Sequence, residues 1–461
     1  MEQRKFRMPT AYTILFCLII LVAVTTWFIP AGSYDYLDGV PVSGSYHAVE
    51  PAPQGAGAVL KAAFSGFYDA VDVCVFILMV GGFLGVVMKT GAIDAGVSNV
   101  IARLQGKESW LIAILMVFFG LGGTTYGMWE ETMAFFPLLL PVFLAAGYDA
   151  VVGVAVILLG AGAGVIASTV NPFATGIAAG FAGVTLGDGL LWRVLQFIVF
   201  EGIAIWYVSA YAARIKRDPS RSVVGIGAGR LHADVGTVTP LTRRYIAVLI
   251  VFAATFLIMV YGVIPFDEMG LSLPVLGWWF PELSALFLVG GIVVGLMDRL
   301  GEVELAETFV SGCTDLLGVA FIIGISRGIT VLMNDGRITD TILHWGETAL
   351  SGLGAVPFVL LVYLIYLPLS VFIPSSSGLA TLSVPVVAPL GQFAGVTGEA
   401  VVTAFQSACG LVNLVTPTAA VVMGALALGR IPYEKWLKFV WKPAAAFLLL
   451  TMLILVAAVI L

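Results

Sequence analysis

A proline inside a long apolar stretch breaks the helix it interrupts, because it lacks a backbone N–H and its ring clashes with the preceding turn. This chain has that arrangement twice. Ser168-Thr169-Val170-Asn171-Pro172 interrupts one stretch and Asn413-Leu414-Val415-Thr416-Pro417 another. The prolines lie 245 positions apart (417 − 172), and the same offset joins Phe64 to Phe309, Phe76 to Phe321, Met88 to Met333 and Gly91 to Gly336. Trp192 and Trp436 pair at 244. Interrupted hydrophobic segments at corresponding places in two halves are a sequence sign of a secondary-transporter binding site.

Composition agrees with a membrane setting. Of 461 residues 60% are hydrophobic and 11% charged, and the mean hydropathy is +1.04. A soluble domain needs far more polar surface, so apolar runs of about 20 residues read as spanning helices. No long polar segment remains for a second domain, and one all-α polytopic bundle is expected. The net charge of −6 says little under lipid. Cys17, Cys74, Cys313 and Cys409 fall singly in apolar stretches without a CxxC pattern, so they read as small buried hydrophobes rather than a disulfide or zinc set. The run 11–29 follows Arg4, Lys5 and Arg7. It is longer than a signal h-region and no Ala-x-Ala site follows, so it reads as an uncleaved helix.

Loop charges set the topology. The N-terminal basic residues and the stretch Arg214, Lys216, Arg217, Arg221, Arg230, Arg243, Arg244 are placed in the cytoplasm by the positive-inside rule. Segment 33–54 has Asp35, Asp38 and Glu50 but no Lys or Arg, and is placed outside. Equivalent loops differ in sign: Lys89, Arg103 and Lys107 stand against Arg337 with Asp335, Asp340 and Glu347, and the loop of Asp188 against Arg430, Lys435 and Lys438. That is the pattern of an inverted repeat, with halves 1–213 and 244–461 around a cytoplasmic basic linker 214–243. The N-terminus is then cytoplasmic and the C-terminus outside.

Spans are expected near 11–29, 70–88, 150–183, 192–213, 244–264, 283–298, 314–333, 400–428 and 443–461. The stretches 150–183 and 400–428 exceed one straight span and contain the prolines, so each reads as two half-helices around an unwound centre. The freed carbonyls there need protein, water or an ion. Stretches 109–146 and 354–393 break at Thr124-Thr125-Tyr126-Gly127-Met128-Trp129-Glu130-Glu131-Thr132 and at Pro374-Ser375-Ser376-Ser377-Gly378. Charge parity makes them re-entrant hairpins, the first opening to the cytoplasm and the second outside. Amphipathic pieces near 56–67 and 300–312 are expected along the interface.

Two hairpin tips and two broken helices then meet near the bilayer midplane. The substrate-binding candidates are Glu130, Glu131, Thr132, Asn171, Ser375, Ser376, Ser377, Asn413 and Thr416. The ion-coupling candidates are Ser168, Thr169, Asn171, Ser377, Thr416 and Thr418. Half-helix N-termini suit a carboxylate; hydroxyls, amide oxygens and unwound carbonyls suit Na⁺ or a proton-coupled water. A single Ser or Thr in a membrane helix more often bonds its own backbone, but four clusters at matched offsets favour a site. Glu130 and Glu131 are the sharpest signal, since intramembrane carboxylates are costly and functional by default. Adjacent helical residues do not share a face, so one of the two is expected to point at the ligand, while a carboxylate capping the next half-helix is the structural alternative.

Arg327, mid-span in Gly324-Ile325-Ser326-Arg327-Gly328, is a charge partner for a tip carboxylate or for a substrate carboxylate. Glu201 reads as a helix–helix polar contact, and Asp69, Asp72 and Asp315 as acids near helix starts. No Walker or GxGxxG pattern marks a phosphate loop among the 53 glycines. His47, His232 and His344 are scattered among predicted loops without HExxH or paired-Asp motifs, which argues against an intramembrane enzyme. Two occluding hairpins argue against a passive channel. No cofactor and no nucleic-acid partner are expected; the coupling ion would be Na⁺ or H⁺.

The stretches Tyr126-Gly127-Met128-Trp129-Glu130-Glu131-Thr132, Val170-Asn171-Pro172-Phe173-Ala174-Thr175-Gly176, Ile373-Pro374-Ser375-Ser376-Ser377-Gly378 and Asn413-Leu414-Val415-Thr416-Pro417-Thr418 resemble the ion-transporter superfamily. Within it they are similar to the YfcC-like branch of the anaerobic C4-dicarboxylate carrier (DcuC-type) family, over nearly the whole chain. The resemblance implies a scaffold domain, a transport domain, an elevator mechanism and a homodimer in the bacterial inner membrane. Dicarboxylate/sodium relatives carry Ser-Asn-Thr at both tips, where this chain has Glu130-Glu131-Thr132 and Ser375-Ser376-Ser377. An acidic tip repels a dianion and suits a cationic side chain. The resemblance to the YfcC-like branch implies transport of basic amino acids by arginine/ornithine-type exchange, which is the expected function, with C4-dicarboxylate or other carboxylate transport as the alternative.

Overall fold

The computed structural model describes residues 11–37, 40–42, 44–93, 95–96, 99, 108–125, 127–185, 187–224, 240–263, 266, 272–278 and 280–461. Arg4, Lys5, Arg7, Asp38, Arg103, Lys107, Tyr126, Arg230 and His232 lie outside the described residues. The first half runs α1 (Ala11–Thr25), α2 (Ala56–Asp69), α3 (Val71–Lys89), α4 (Glu108–Thr125), a 3₁₀ turn (Glu130–Phe135), α5 (Phe136–Ala145), α6 (Ala150–Ala167), a π turn (Pro172–Gly176), α7 (Ile177–Ala182) and α8 (Leu190–Arg217). After a short 3₁₀ turn (Pro219–Arg221) the second half runs α9 (Arg243–Val263), α10 (Phe280–Met297), α11 (Glu302–Asp335), α12 (Thr339–Leu350), α13 (Ala355–Phe372), α14 (Ser376–Phe393), α15 (Gly398–Val415), α16 (Ala420–Leu428) and α17 (Tyr433–Ile460). Among the described residues, eight helices are long and apolar enough to cross a membrane, with 398–428 counted as one.

The helices pack in two groups. In one, Tyr12 of α1 donates to the Gly318 carbonyl of α11 (2.9 Å), Gly66 of α2 lies on Gly328, and Phe83 of α3 stacks on Phe252 of α9 and meets Phe287 of α10 edge-on. In the other, α4 crosses α6 where a Cβ on Gly164 would sit 2.1 Å from the Gly120 carbonyl oxygen. Phe200 of α8 stacks on Phe447 of α17, and Tyr366 of α13 meets Phe405 of α15. The two proline-broken helices cross each other at Gly410, where a Cβ would come 2.7 Å from Ile166 Cα. Only a glycine leaves room for two backbones at that distance. All of α6 is buried, so its unpatterned apolar sequence is that of a helix surrounded on every side.

Across one end, Gly32–Ser33 pairs with His47–Ala48 and Tyr36–Leu37 with Val40–Pro41 as short antiparallel ribbons. They sit on α12, where Asp340 accepts from the Tyr34 N–H (3.0 Å) and the Tyr36 hydroxyl (2.8 Å). His344 stacks on Tyr46 and meets Glu347 at 3.1 Å. His344 thus belongs to a helix rather than the expected loop.

Several expectations need correction. The pieces 300–312 and 314–333 are one 34-residue helix, α11. The helix runs through this point because Gly312 packs on the Gly81 backbone and the Thr314 hydroxyl bonds back to the Val310 carbonyl (3.0 Å). Asp315 lies inside α11 rather than near a helix start, whereas Asp72 stands in the first turn of α3 and Asp69 two residues before that helix. The last span begins at Tyr433, which puts Lys435 and Lys438 on the helix rather than in a loop. Cys74 and Cys409 are buried, whereas Cys17 is exposed and Cys313 half-exposed.

Candidate substrate cavity

Each proline break leaves carbonyls without helical partners. At the first break Ser168 turns left-handed (φ 45°), and the chain re-enters helix through the π turn, the Asn171 carbonyl accepting from Gly176 N (2.8 Å). Asn171 Oδ1 caps this turn by accepting from Ala174 N (3.3 Å). The freed Val165 and Ile166 carbonyls accept from Gln406 Nε2 (2.8 Å) and Ser407 Oγ (3.3 Å) of α15. Thr169 is tied to Thr124 of α4: its N–H donates to Thr124 Oγ1 (3.0 Å) and its hydroxyl to the Thr124 carbonyl (3.0 Å). The Ser168 hydroxyl pairs with Thr175.

At the second break the Leu414 carbonyl accepts from the Trp436 indole (2.9 Å), and the Val415 carbonyl from the Tyr433 hydroxyl. Thr416 and Thr418 hydroxyls pair at 2.8 Å, and the Thr418 carbonyl accepts from Ser326 of α11 (2.6 Å). Gln406, Ser407, Ser326, Tyr433 and Trp436 are the hydrogen-bond partners of the breaks that sequence reasoning missed. Gln406-Ser407 is a polar pair in an otherwise apolar run, and Trp436 carries the 244 offset to Trp192; those were the available signals.

The first tip is a 3₁₀ turn. Glu131 Oε2 accepts from the Trp129 N–H (3.1 Å), and Thr132, fully buried, donates to the Trp129 carbonyl. Gly127 has φ +76°, and a Cβ there would stand 2.5 Å from Asn171 Nδ2, so tip and first break are in contact. The second tip starts α14 with Ser375 as N-cap, its Oγ accepting from Gly378 N (3.2 Å). Ser377 Oγ lies 3.4 Å from Ser375 Oγ, and its carbonyl accepts from Thr381 (3.0 Å). Ser376 opens the helix itself.

A cavity of about 50 Å³ joins part of this set. Trp129 and Glu130 of the first tip, Pro374 of the second, Asn413 and Thr418 of the second break, and Ser326 and Arg327 of α11 line it. It lies where the two helix groups meet. Among the described residues the Asn413 side chain makes no hydrogen bond, so its amide is available to a ligand. Arg327 Nε is 3.8 Å from Asp69 Oδ2, a loose pair between two part-exposed side chains. Glu131, Thr132, Asn171, Ser168, Thr169, Thr416, Ser375, Ser376 and Ser377 do not line this cavity. A larger one, about 340 Å³, lies between α3, α5 and α11. Its walls are apolar or small residues apart from Asp315 and Arg430, and it contains none of the expected site residues. The smaller cavity thus brings a carboxylate, an amide, hydroxyls and a guanidinium together, groups complementary to both signs of charge.

Glu201 is not the helix–helix polar contact expected of it. Both carboxylate oxygens are buried without a hydrogen-bond partner.

Residues 8–460 match the model of the family described as C4-dicarboxylate anaerobic carrier, DcuC. The chain is 33% identical to an uncharacterized protein of Haemophilus influenzae, over 99% of this chain and 98% of that one. It is 30% identical to the Escherichia coli protein named "Putative basic amino acid antiporter YfcC", over 94% of this chain and 93% of that one. Among solved structures it is similar to the YdaH transporter of Alcanivorax borkumensis (15% identity, TM-score 0.47, 97% and 98% of the chains) and to MtrF of Neisseria gonorrhoeae (19% identity, TM-score 0.47, 98% and 96%). Likeness at that level carries no assignment of fold or function.

Proposed function

Because this chain belongs to the C4-dicarboxylate anaerobic carrier family, and is therefore a membrane transporter rather than an enzyme, we propose that it exchanges basic amino acids by alternating access. The observation that carries this reading is Glu130 on the cavity between the helix groups, with the free Asn413 amide and Arg327 beside it. A carboxylate there attracts a guanidinium or ammonium side chain and repels a dianion, while Arg327 and the Asn413 amide suit the amino acid's own carboxylate. The name of the Escherichia coli relative agrees. The family's name supports the second reading, C4-dicarboxylate or other carboxylate transport, for which Arg327 would be the anchor.

In this proposal the group α1, α2, α3, α9, α10 and α11 is the scaffold, and the tips with the broken helices form the moving part of an elevator. The halves 1–213 and 244–461 are inverted repeats. Matched lengths support this: α4 and α13 have 18 residues each, α6 and α15 also 18, and α8 and α17 have 28. The linker 214–243 and the N-terminus then face the cytoplasm, the C-terminus faces outside, and the protein works as an inner-membrane homodimer. Labelling that places 183–191 and 430–435 on one side of the membrane would remove the inversion, and a monomer mass by light scattering would remove the dimer. Ser168, Thr169, Asn171, Ser377, Thr416 and Thr418 remain the proposed ion-coupling set for Na⁺ or H⁺, with Glu131, Thr132, Asn171, Ser375, Ser376, Ser377 and Thr416 completing the substrate site on closure.

The test is uptake of labelled arginine, ornithine and succinate into proteoliposomes, with and without internal counter-substrate. Arginine–ornithine exchange is expected. Exchange of succinate with neither amino acid would replace the leading reading by the second.

A further inference from the structure

Near the middle of the 28-residue helix α8, Glu201 is 95% buried, being 5% exposed, and neither oxygen meets a donor. Its Oε2 lies against α4, where a Cβ on Gly120 would come within 2.6 Å. No element packed on it brings a charge to that level. After Glu108, α4 carries no titratable group, and α6 carries none. Those of α17, namely Tyr433, Glu434, Lys435, Lys438 and Lys442, all precede the turn of Phe447 that stacks on Phe200. Helix α15 touches α8 through Ser407, which bonds Gln196 (2.9 Å); its Glu399 lies by Gly189 and its Cys409 by Ser370. On α8 itself the nearest are Arg193, two turns earlier, and Tyr207, nearly two turns later.

An ionised carboxylate buried without donors or a counter-charge is not stable, so such a group binds a proton instead. Two oxygens with no further ligands are too few for Na⁺, whereas one proton satisfies the charge outright. Intramembrane acids of this kind mark proton relays. The location also fits. Gly120 is one helical turn, roughly 6 Å, from Thr124, whose hydroxyl and carbonyl hold Thr169 at the first break. That break does not line the substrate cavity, yet it holds the hydroxyl pairs Thr124–Thr169 and Ser168–Thr175.

We propose that Glu201 is the proton-binding site of this transporter, coupled to the substrate cavity through the first proline break. One carboxylate oxygen takes a proton from water on one side of the membrane, forming an O–H bond, and that bond breaks to release it on the other. No electrons are transferred. The proposal deepens the transport reading and rests on it only for the coupling, not for the proton site itself.

The experiment compares wild type with Glu201→Gln, which keeps the shape of the side chain and removes the acid. Infrared spectra of the purified proteins judge the proton site without any substrate. The wild type is expected to give a carboxylic-acid carbonyl band that Glu201→Gln lacks; identical spectra in that region would mean an ionised Glu201 and overturn the proposal. In proteoliposomes, Glu201→Gln is expected to lose proton-gradient-driven arginine accumulation while keeping arginine–arginine exchange. Accumulation equal to wild type would overturn it. A variant that fails to fold is replaced by Glu201→Asp, which is expected to keep both the band and the accumulation; loss of the band with retained accumulation would again overturn it. If the wild type carries no arginine, the substrate reading fails and the infrared result alone decides the proton site.

Discussion

The two proline breaks have the same sequence logic and are sealed in opposite ways. The first ends α6, buried on all sides, and its freed carbonyls are met by Gln406 and Ser407, side chains of the other broken helix. The second is sealed by α17, through the Trp436 indole and the Tyr433 hydroxyl. Ile166 and Leu414 are each the penultimate residue of an 18-residue helix, so equivalent carbonyls are satisfied from different elements. With α17 supplying the donors at the second break, Asn413 and Thr418 line the cavity. The lesson is that two breaks of like sequence can be sealed by different elements, and the surrounding side chains decide which one borders a cavity.

That comparison can be broken at its strongest point with Trp436→Ala. The indole is fully buried, so truncation removes its packing and its hydrogen bond together, and about 3–5 kcal/mol of stability should go. Thermal unfolding in detergent measures this; an unchanged midpoint would mean that the second break does not depend on α17. Gln406→Ala probes the first break by leaving the Val165 carbonyl unpaired, with an expected loss of about 1–3 kcal/mol in the same assay. Ser326→Ala removes a hydrogen bond between the two helix groups. Its expected cost is about 0.5–1.5 kcal/mol, together with faster exchange if that bond must break during transport. Slower exchange at unchanged stability would make Ser326 part of the site instead.

Much of this architecture is legible from residues alone. The prolines, their neighbouring Asn and Thr, and the tip sequences locate the breaks and hairpin turns because each is a local departure from apolar helix. What sealed the breaks was not legible. Trp436 and Gln406 act across 22 and 241 positions respectively, and a side chain's distant acceptor leaves no periodicity in the sequence. The continuity of α11 was hidden for a related reason, since the Gly81 backbone on which Gly312 packs belongs to another helix, α3. Adjacent Glu130 and Glu131 could not be told apart by spacing; a hydrogen bond to the Trp129 N–H separates them.

The central claim is that the cavity at Glu130 holds the substrate. Arginine uptake into proteoliposomes by Glu130→Gln and by Glu131→Gln, at equal reconstituted amounts, tests it most directly. Uptake should be lost in Glu130→Gln and largely kept in Glu131→Gln, whose carboxylate is engaged with the tip backbone. Wild-type uptake by Glu130→Gln, with the same pH dependence, would contradict the assignment.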